Sequence, residues 1–108
     1  MIYFTDDSEI AEYEFFTRGF RNDIYVQINN NYYNLNVYTI SRLQYEFDIA
    51  WNFEKYYLID PNIILVNEIK KPEIILTINQ LDKRMNFFKD LKPIDKKIVK
   101  KLKLIKIN

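Results

Sequence analysis

Carboxylates are the one supply of catalytic groups in this sequence. They stand in three local clusters, Asp6-Asp7, Glu12-x-Glu14 and Glu46-x-Asp48. A metal-dependent hydrolase or a glycosidase needs carboxylates converging in a cleft, where they hold a cation or divide acid and base roles. Adjacency along the chain does not supply convergence, and short acidic runs are ordinarily solvated surface. Most other chemistries lack their residues. With no His and no Cys, Ser-His-Asp and Cys-His catalysis, Cys/His zinc sites, haem attachment, iron–sulfur clusters and dithiol redox motifs are excluded. The single glycine, Gly19, cannot build a dinucleotide fingerprint or a phosphate-binding loop. No cofactor and no metal are expected, and a non-enzymatic binding protein is the leading reading.

A second chemically distinct group is basic. Lys96, Lys97, Lys100, Lys101, Lys103 and Lys106 crowd the C-terminus, and clustered lysines neutralise phosphates. The sequence pI of about 7.8 lies below the value above about 9 that marks a dedicated nucleic-acid-binding domain. A small nucleic-acid-binding module is therefore the alternative, ranked below a protein partner, with a carboxylate-based metal-dependent hydrolase ranked lower still.

The elements that must carry these groups fit one domain over residues 1–108. The 108 residues, 48% of them hydrophobic, suffice for one core without disulfides. From Asp23 to Thr39, Ile24, Val26 and Ile28 alternate with Tyr25 and Gln27, and Tyr33, Leu35 and Val37 alternate with Tyr32, Asn34, Asn36 and Tyr38, about Asn29-Asn30-Asn31. Period-two alternation around Asn, which tolerates positive φ, predicts a β-hairpin over 23–39 with an aliphatic core face and a Tyr/Asn face.

Ser41 with Gln44 fits a capping box, and a helix is expected over about 41–55. Leu43, Phe47, Ala50 and Trp51 form one of its stripes and Tyr45, Ile49 and Phe53 another. Apolar stripes on two sides predict a helix sandwiched in the protein, with Trp51 in the core. Tyr57–Ile59 and Ile63–Val66, around Asp60-Pro61-Asn62, read as two central strands.

Pro72 suits the first turn of a helix over about 72–89, with Ile74, Ile78, Leu81, Met85 and Phe88 on its buried face and Lys83, Arg84 and Lys89 favouring its negative pole. Ile2–Phe4 and Tyr13–Phe16 look strand-like, and residues 95–107 fit either a helix capped by Asp95 or a strand. The order predicts an α+β fold with a mainly antiparallel sheet.

The net charge of +1 conceals a division. Residues 1–69 hold four bases against eleven acids, a net −7, and residues 70–108 hold twelve bases against four acids, a net +8. Such asymmetry points to an oppositely charged partner unless the fold interleaves the halves. The nine Tyr and eight Phe favour a protein partner, since Tyr is enriched where interfaces concentrate their energy. Asp6, Asp7, Glu9, Glu12, Tyr13 and Glu14 are expected to form an acidic approach surface, and Tyr25, Tyr32 and Tyr38 aromatic anchors. Residues 1–14 carry no basic start and no apolar run, so no signal peptide is expected. The uncharged stretches fall far short of the roughly 20 residues of a membrane span. No membrane association and a cytoplasmic location follow as expectations.

One family shares this order of features. Ile24-x-Val26-x-Ile28, Tyr32-Tyr33-Asn34-Leu35-x-Val37-Tyr38-Thr39-Ile40-Ser41-Arg42-Leu43, Pro61-Asn62-Ile63-Ile64-Leu65-Val66 and Phe87-Phe88-x-x-Leu91-Lys92-Pro93 together resemble the small cytoplasmic immunity proteins of bacterial polymorphic toxin systems, in particular those of contact-dependent growth inhibition, called CdiI. The resemblance covers residues 20–93 and leaves out the basic tail. It implies a single-domain inhibitor that binds the C-terminal toxin domain of a neighbouring gene, often a nuclease. Blocking of the toxin's active site or substrate groove is then the expected mode of action.

Overall fold

The computed structural model describes residues 1–60, 62–83 and 87–108. In chain order the elements are β1 (Ile2–Phe4), α1 (Glu9–Arg18), β2 (Phe20–Ile28), β3 (Asn31–Tyr38), α2 (Ile40–Glu54), β4 (Ile63–Leu65), α3 (Lys71–Asp82), α4 (Lys96–Lys101) and β5 (Ile105–Lys106). The fold is α+β, and its sheet runs β4-β3-β2-β1-β5. All neighbours are antiparallel except β3 and β4. The parallel pair follows from connectivity: β3 leads into α2, and a strand reached through a helical crossover returns in the same direction.

The hairpin is the centre of the sheet. Ile28 faces Asn31 across the Asn29-Asn30 turn, and Asn29 takes the positive φ of 56° that the turn demands. Ile24, Val26, Tyr33, Leu35 and Val37 are buried on one face, joined by Ile2 and Phe4 from β1 and Ile64 from β4. Ala11 and Phe15 of α1 and Ile74 and Ile78 of α3 belong to the same side. Each fully buried Ile of this kind contributes roughly 1.5–3 kcal/mol. Phe88 closes the core, its ring 5.4 Å from that of Tyr33.

A β-bulge lies between Arg21 and Ile24, where β2 spends one residue more than β3. The extra residue shifts the side-chain alternation by one, so that Arg21 and Asp23 before it and Ile24 and Val26 after it are all buried. Arg21 is 1% exposed, and its guanidinium lies 3.5 Å from the centre of the Phe4 ring and 4.6 Å from that of Phe15. Its Nε donates to Asp23 Oδ1 at 2.7 Å, one terminal nitrogen donates to Glu12 Oε2 at 2.9 Å, and the other donates to the Asp6 carbonyl at 2.6 Å. Asp23 Oδ2 in turn accepts from the Thr5 and Asp6 backbone N–H groups. Glu12 Oε1 accepts the Lys71 backbone N–H at 2.8 Å, which ties α1 to the start of α3.

Several expectations are corrected here. Tyr13–Phe16 is helical, part of α1, because Ser8 Oγ accepts the Ala11 N–H at the start and Gly19, at φ 76°, ends the helix in a left-handed turn. Capping at both ends outweighs the strand preference of the aromatics. On a helix, residues two apart point in different directions, so Glu12 turns inward to Arg21 and Glu14 outward. The cap of α2 is Thr39, which accepts the Arg42 N–H, and not Ser41.

The α2 helix is not sandwiched: none of its residues is buried, and Trp51 is 50% exposed. Tyr57–Ile59 forms no strand, because those residues are used in the return from α2, and β4 is an edge strand. Helix α3 ends at Asp82, short of 89, with Phe87–Asp90 in turns, so Lys89 lies outside it. Pro61, Arg84 and Met85 lie outside the described residues. Residues 95–107 hold both alternatives, α4 capped by Asp95 and then β5.

Two substitutions test this frame. Arg21→Met leaves the Asp23 and Glu12 carboxylates without their buried counter-charge and should cost about 3–5 kcal/mol in urea unfolding followed by circular dichroism. Gly19→Ala should cost about 1–2 kcal/mol for a left-handed Ala, and more because its Cβ would lie 2.9 Å from Thr39 Oγ1 and 3.1 Å from Arg42 Cβ. Wild-type stability in Arg21→Met would show that this ion cluster does not hold the fold.

Candidate functional site

Among the described residues, helix α2 carries more exposed large apolar side chains than any other element. Ile40, Tyr45, Phe47, Ile49, Trp51 and Phe53 are all exposed, Phe53 to 84%, and Tyr56, Leu58 and Ile59 extend the surface into the following loop. Isolated exposed hydrophobics need no explanation, but apolar side chains this dense on one helix mark a docking surface, and here they stand on two opposite sides, Ile40, Phe47 and Trp51 on one and Tyr45, Ile49 and Phe53 on the other. Phe47 and Trp51 stack with centroids 6.1 Å apart, and Tyr57 meets Phe47 edge-on at 6.2 Å. Rings held by each other lose little freedom on binding, which suits them as anchors.

A polar hub fixes this helix against the sheet. Arg42 Nε donates to Glu46 at 3.1 Å, while its guanidinium lies over Phe20 and Tyr45. The Tyr57 hydroxyl donates to the other Glu46 oxygen at 3.3 Å. Phe20 stacks on Tyr38 at 5.6 Å. Burial, reinforced by the neighbouring Glu46 carboxylate, pushes the Tyr38 and Tyr57 hydroxyls above their ordinary pKa. Both remain neutral donors at physiological pH.

The surface continues onto α1. One groove holds Arg42, Tyr45, Ile49, Phe53 and Tyr57. Arg42 and Tyr45 also line a cleft of about 420 Å³ with Phe16, Gly19 and Ile69. Phe16 and Ile69 are shared with a further groove between α1 and the start of α3, where Glu9, Glu12, Tyr13 and Pro72 join them. An almost continuous aromatic track thus runs from Tyr13 through Phe16 and Tyr45 to Ile49 and Phe53. Its cations are engaged: Arg42 with Glu46, Lys70 with Glu68 at 2.8 Å and Arg18 with Glu14 at 3.8 Å. Among the described residues Glu9 and Glu54 have no cationic partner and Lys55 beside Glu54 has no acidic one, which leaves the track with a small acidic excess.

The residues expected from sequence divide over this geometry. Glu9, Glu12 and Tyr13 share the α1 groove, but Glu12 spends both oxygens on Arg21 and Lys71. Asp7 pairs with Lys71 Nζ at 2.7 Å, and Glu14 points to solvent beside Arg18. Hydrogen bonds from Ser8 hold the exposed Asp6 carboxyl below its ordinary pKa. Tyr25 and Tyr32 lie on the Tyr/Asn face of the sheet, away from the track, and Tyr38 sits in the hub behind α2.

The three carboxylate clusters do not converge, and no group of three or more metal-binding side chains occurs among the described residues. Sequence reasoning missed the α2 surface because the same two apolar stripes describe a buried helix and a docking helix. Asn52, Glu54, Lys55 and Asn62 around the aromatics were the available sign that no second layer covers them.

No known protein family, curated protein or solved structure matches this chain. Among the described residues no helix is long and apolar enough to cross a membrane.

If α2 is a docking surface, its outer side chains should contribute little to folding. Phe53→Asp should shift the unfolding free energy by no more than about 0.5 kcal/mol, whereas Phe4→Ala, which empties a fully buried site, should cost about 3–5 kcal/mol. A loss above about 2 kcal/mol in Phe53→Asp would assign that side chain to the core instead.

Proposed function

We propose that this chain is a non-enzymatic inhibitor that binds a protein partner on the α1–α2 track. The observation that carries the reading is a 15-residue helix with no buried residue whose aromatics stand in solvent. Trp and Tyr surrounded by polar groups are the side chains that concentrate binding energy at interfaces. The acidic excess of the track suits a basic partner and speeds encounter by electrostatic steering.

The resemblance to immunity proteins supplies the partner class, the C-terminal toxin domain of a bacterial polymorphic toxin system. A nuclease domain fits both arguments, since its substrate groove is cationic. The inhibitor works by noncovalent occlusion of that groove or of the active site, in the cytoplasm of the producing cell. Of the residues expected from sequence, Glu9 and Tyr13 lie best for contact. Tyr45, Ile49 and Phe53 of α2 join them as principal anchors.

Co-expression with the toxin domain encoded beside it should yield a copurifying complex and abolish toxicity. Tyr45→Ala with Phe53→Asp should weaken that complex at least about 30-fold, corresponding to the 2 kcal/mol or more typical of interface anchors, while leaving the circular dichroism spectrum unchanged. Glu9→Lys with Glu54→Lys should slow association several-fold at low salt and less at high salt. A complex indifferent to the α2 substitutions places the interface elsewhere; a neighbouring toxin domain that neither copurifies nor is neutralised removes the inhibitor reading.

A further inference from the structure

The basic tail is not used by the track, and the fold does not neutralise it. Lys96, Lys97, Lys100, Lys101, Lys103 and Lys106 are all exposed, and none forms an ion pair among the described residues. The acidic half meets the basic half at its start, through Asp7 and Glu12 on Lys71. Lys96 and Lys100 of the tail lie at the other end of the sheet. Helix α4 sits beside the hairpin tip at Asn30, whereas α2 departs from the opposite end of β3. The whole-chain pI therefore averages two surfaces that the structure keeps apart.

Between α4 and the hairpin lies a groove of about 310 Å³, lined by Gln27, Asn30, Tyr32, Lys96, Val99 and Lys100. Lys96 and Lys100 stand one helical turn apart on the same side. Gln27 is held in place, accepting from the Tyr3 hydroxyl at 2.9 Å and donating to the Asn29 carbonyl at 3.2 Å. Asn30 is exposed and its side chain makes no hydrogen bond among the described residues. Tyr3 packs 6.0 Å from Tyr32, and Lys106 lies directly across from Tyr3 in the sheet. Lysines, a pair of half-buried tyrosines and two amide side chains thus share one surface.

We propose that this groove binds single-stranded nucleic acid, with Lys96, Lys100 and Lys106 on phosphates, Tyr32 against a base, and Gln27 and Asn30 at base edges. Stacking platforms beside a cationic track are the means by which single strands are held. A duplex is a poor fit: the six residues of α4 span only about 9 Å, and stacked bases offer Tyr32 no open face. An acidic protein would use the lysines but leave the tyrosine and amide groups without a role. The surface is independent of the α1–α2 track.

Fluorescence anisotropy of labelled 12-nucleotide oligouridine with the full chain should show micromolar binding at 50 mM salt. Engagement of about three or four phosphates predicts a weakening of roughly 20- to 50-fold between 50 and 200 mM salt. Lys96→Gln with Lys100→Gln should reduce affinity at least tenfold and flatten the salt dependence. Tyr32→Leu should weaken binding with the salt slope unchanged, which a purely cationic surface would not do.

Phe53→Asp should bind RNA as wild type does, so that loss of toxin binding and loss of RNA binding are read separately. Absence of binding at 50 mM salt, or wild-type affinity in the double lysine variant, overturns the proposal. Equal affinity for a duplex or for polyglutamate overturns it as well, by reducing the surface to unselective positive charge.

Discussion

The Arg21 guanidinium is the constraint on which the rest of the structure depends. Burying an unpaired cation costs several kcal/mol even after relaxation, so an arginine that is 1% exposed stays only where its donors are met. Here they are met from three directions: Asp23 on the same strand, the Asp6 carbonyl in the β1–α1 loop, and Glu12 on α1. Phe4 and Phe15 cover the faces of the guanidinium. Each partner fixes an element that aliphatic contacts alone would leave free to slide. Through the second oxygen of Glu12 the cluster reaches the start of α3. The bulge in β2 belongs to this arrangement, because by shifting the alternation by one residue it lets Arg21 and Asp23 share the buried face with Ile24 and Val26, which a regular strand would turn to opposite sides.

With α1 and α3 clamped to one face of the sheet, α2 is left outside that core. It is attached at its base by Thr39, which donates its backbone N–H to the Gly19 carbonyl, and by the Arg42, Glu46 and Tyr57 hub. Stability and recognition thereby come from different residues. The side chains of the proposed docking surface can be exchanged without opening the core, a property that suits an inhibitor whose partner varies. The tail is separated in the same way, since α4 lies across a groove from the hairpin tip and its lysines are exposed.

What the chain itself made legible was local and periodic. The hairpin face of Ile24, Val26, Leu35 and Val37, the turn at Asn29 and the start of α3 at Pro72 each rest on a few adjacent residues, and each is where the sequence places it, whereas residues 95–107 left helix and strand open and hold both. The α1 helix was legible in principle, in Ser8 and Gly19, but its aromatics argued more loudly for a strand. The candidate site was legible only in part: the Tyr/Asn face and the acids of residues 6–14 were visible, while their division between ion pairs and open surface was not.

Composition by itself determined that no histidine, cysteine or glycine-loop chemistry can operate here, and alternation determined that an antiparallel hairpin would anchor an α+β fold. Both conclusions need no knowledge of distant contacts. Whether Trp51 is core or surface, whether Glu12 steers a partner or holds Arg21, and whether −7 and +8 cancel or stand apart were decided by tertiary structure alone. Burial and charge pairing depend on which elements lie over one another, and a helix with two apolar stripes carries no mark of whether its second covering layer belongs to the same chain or to another.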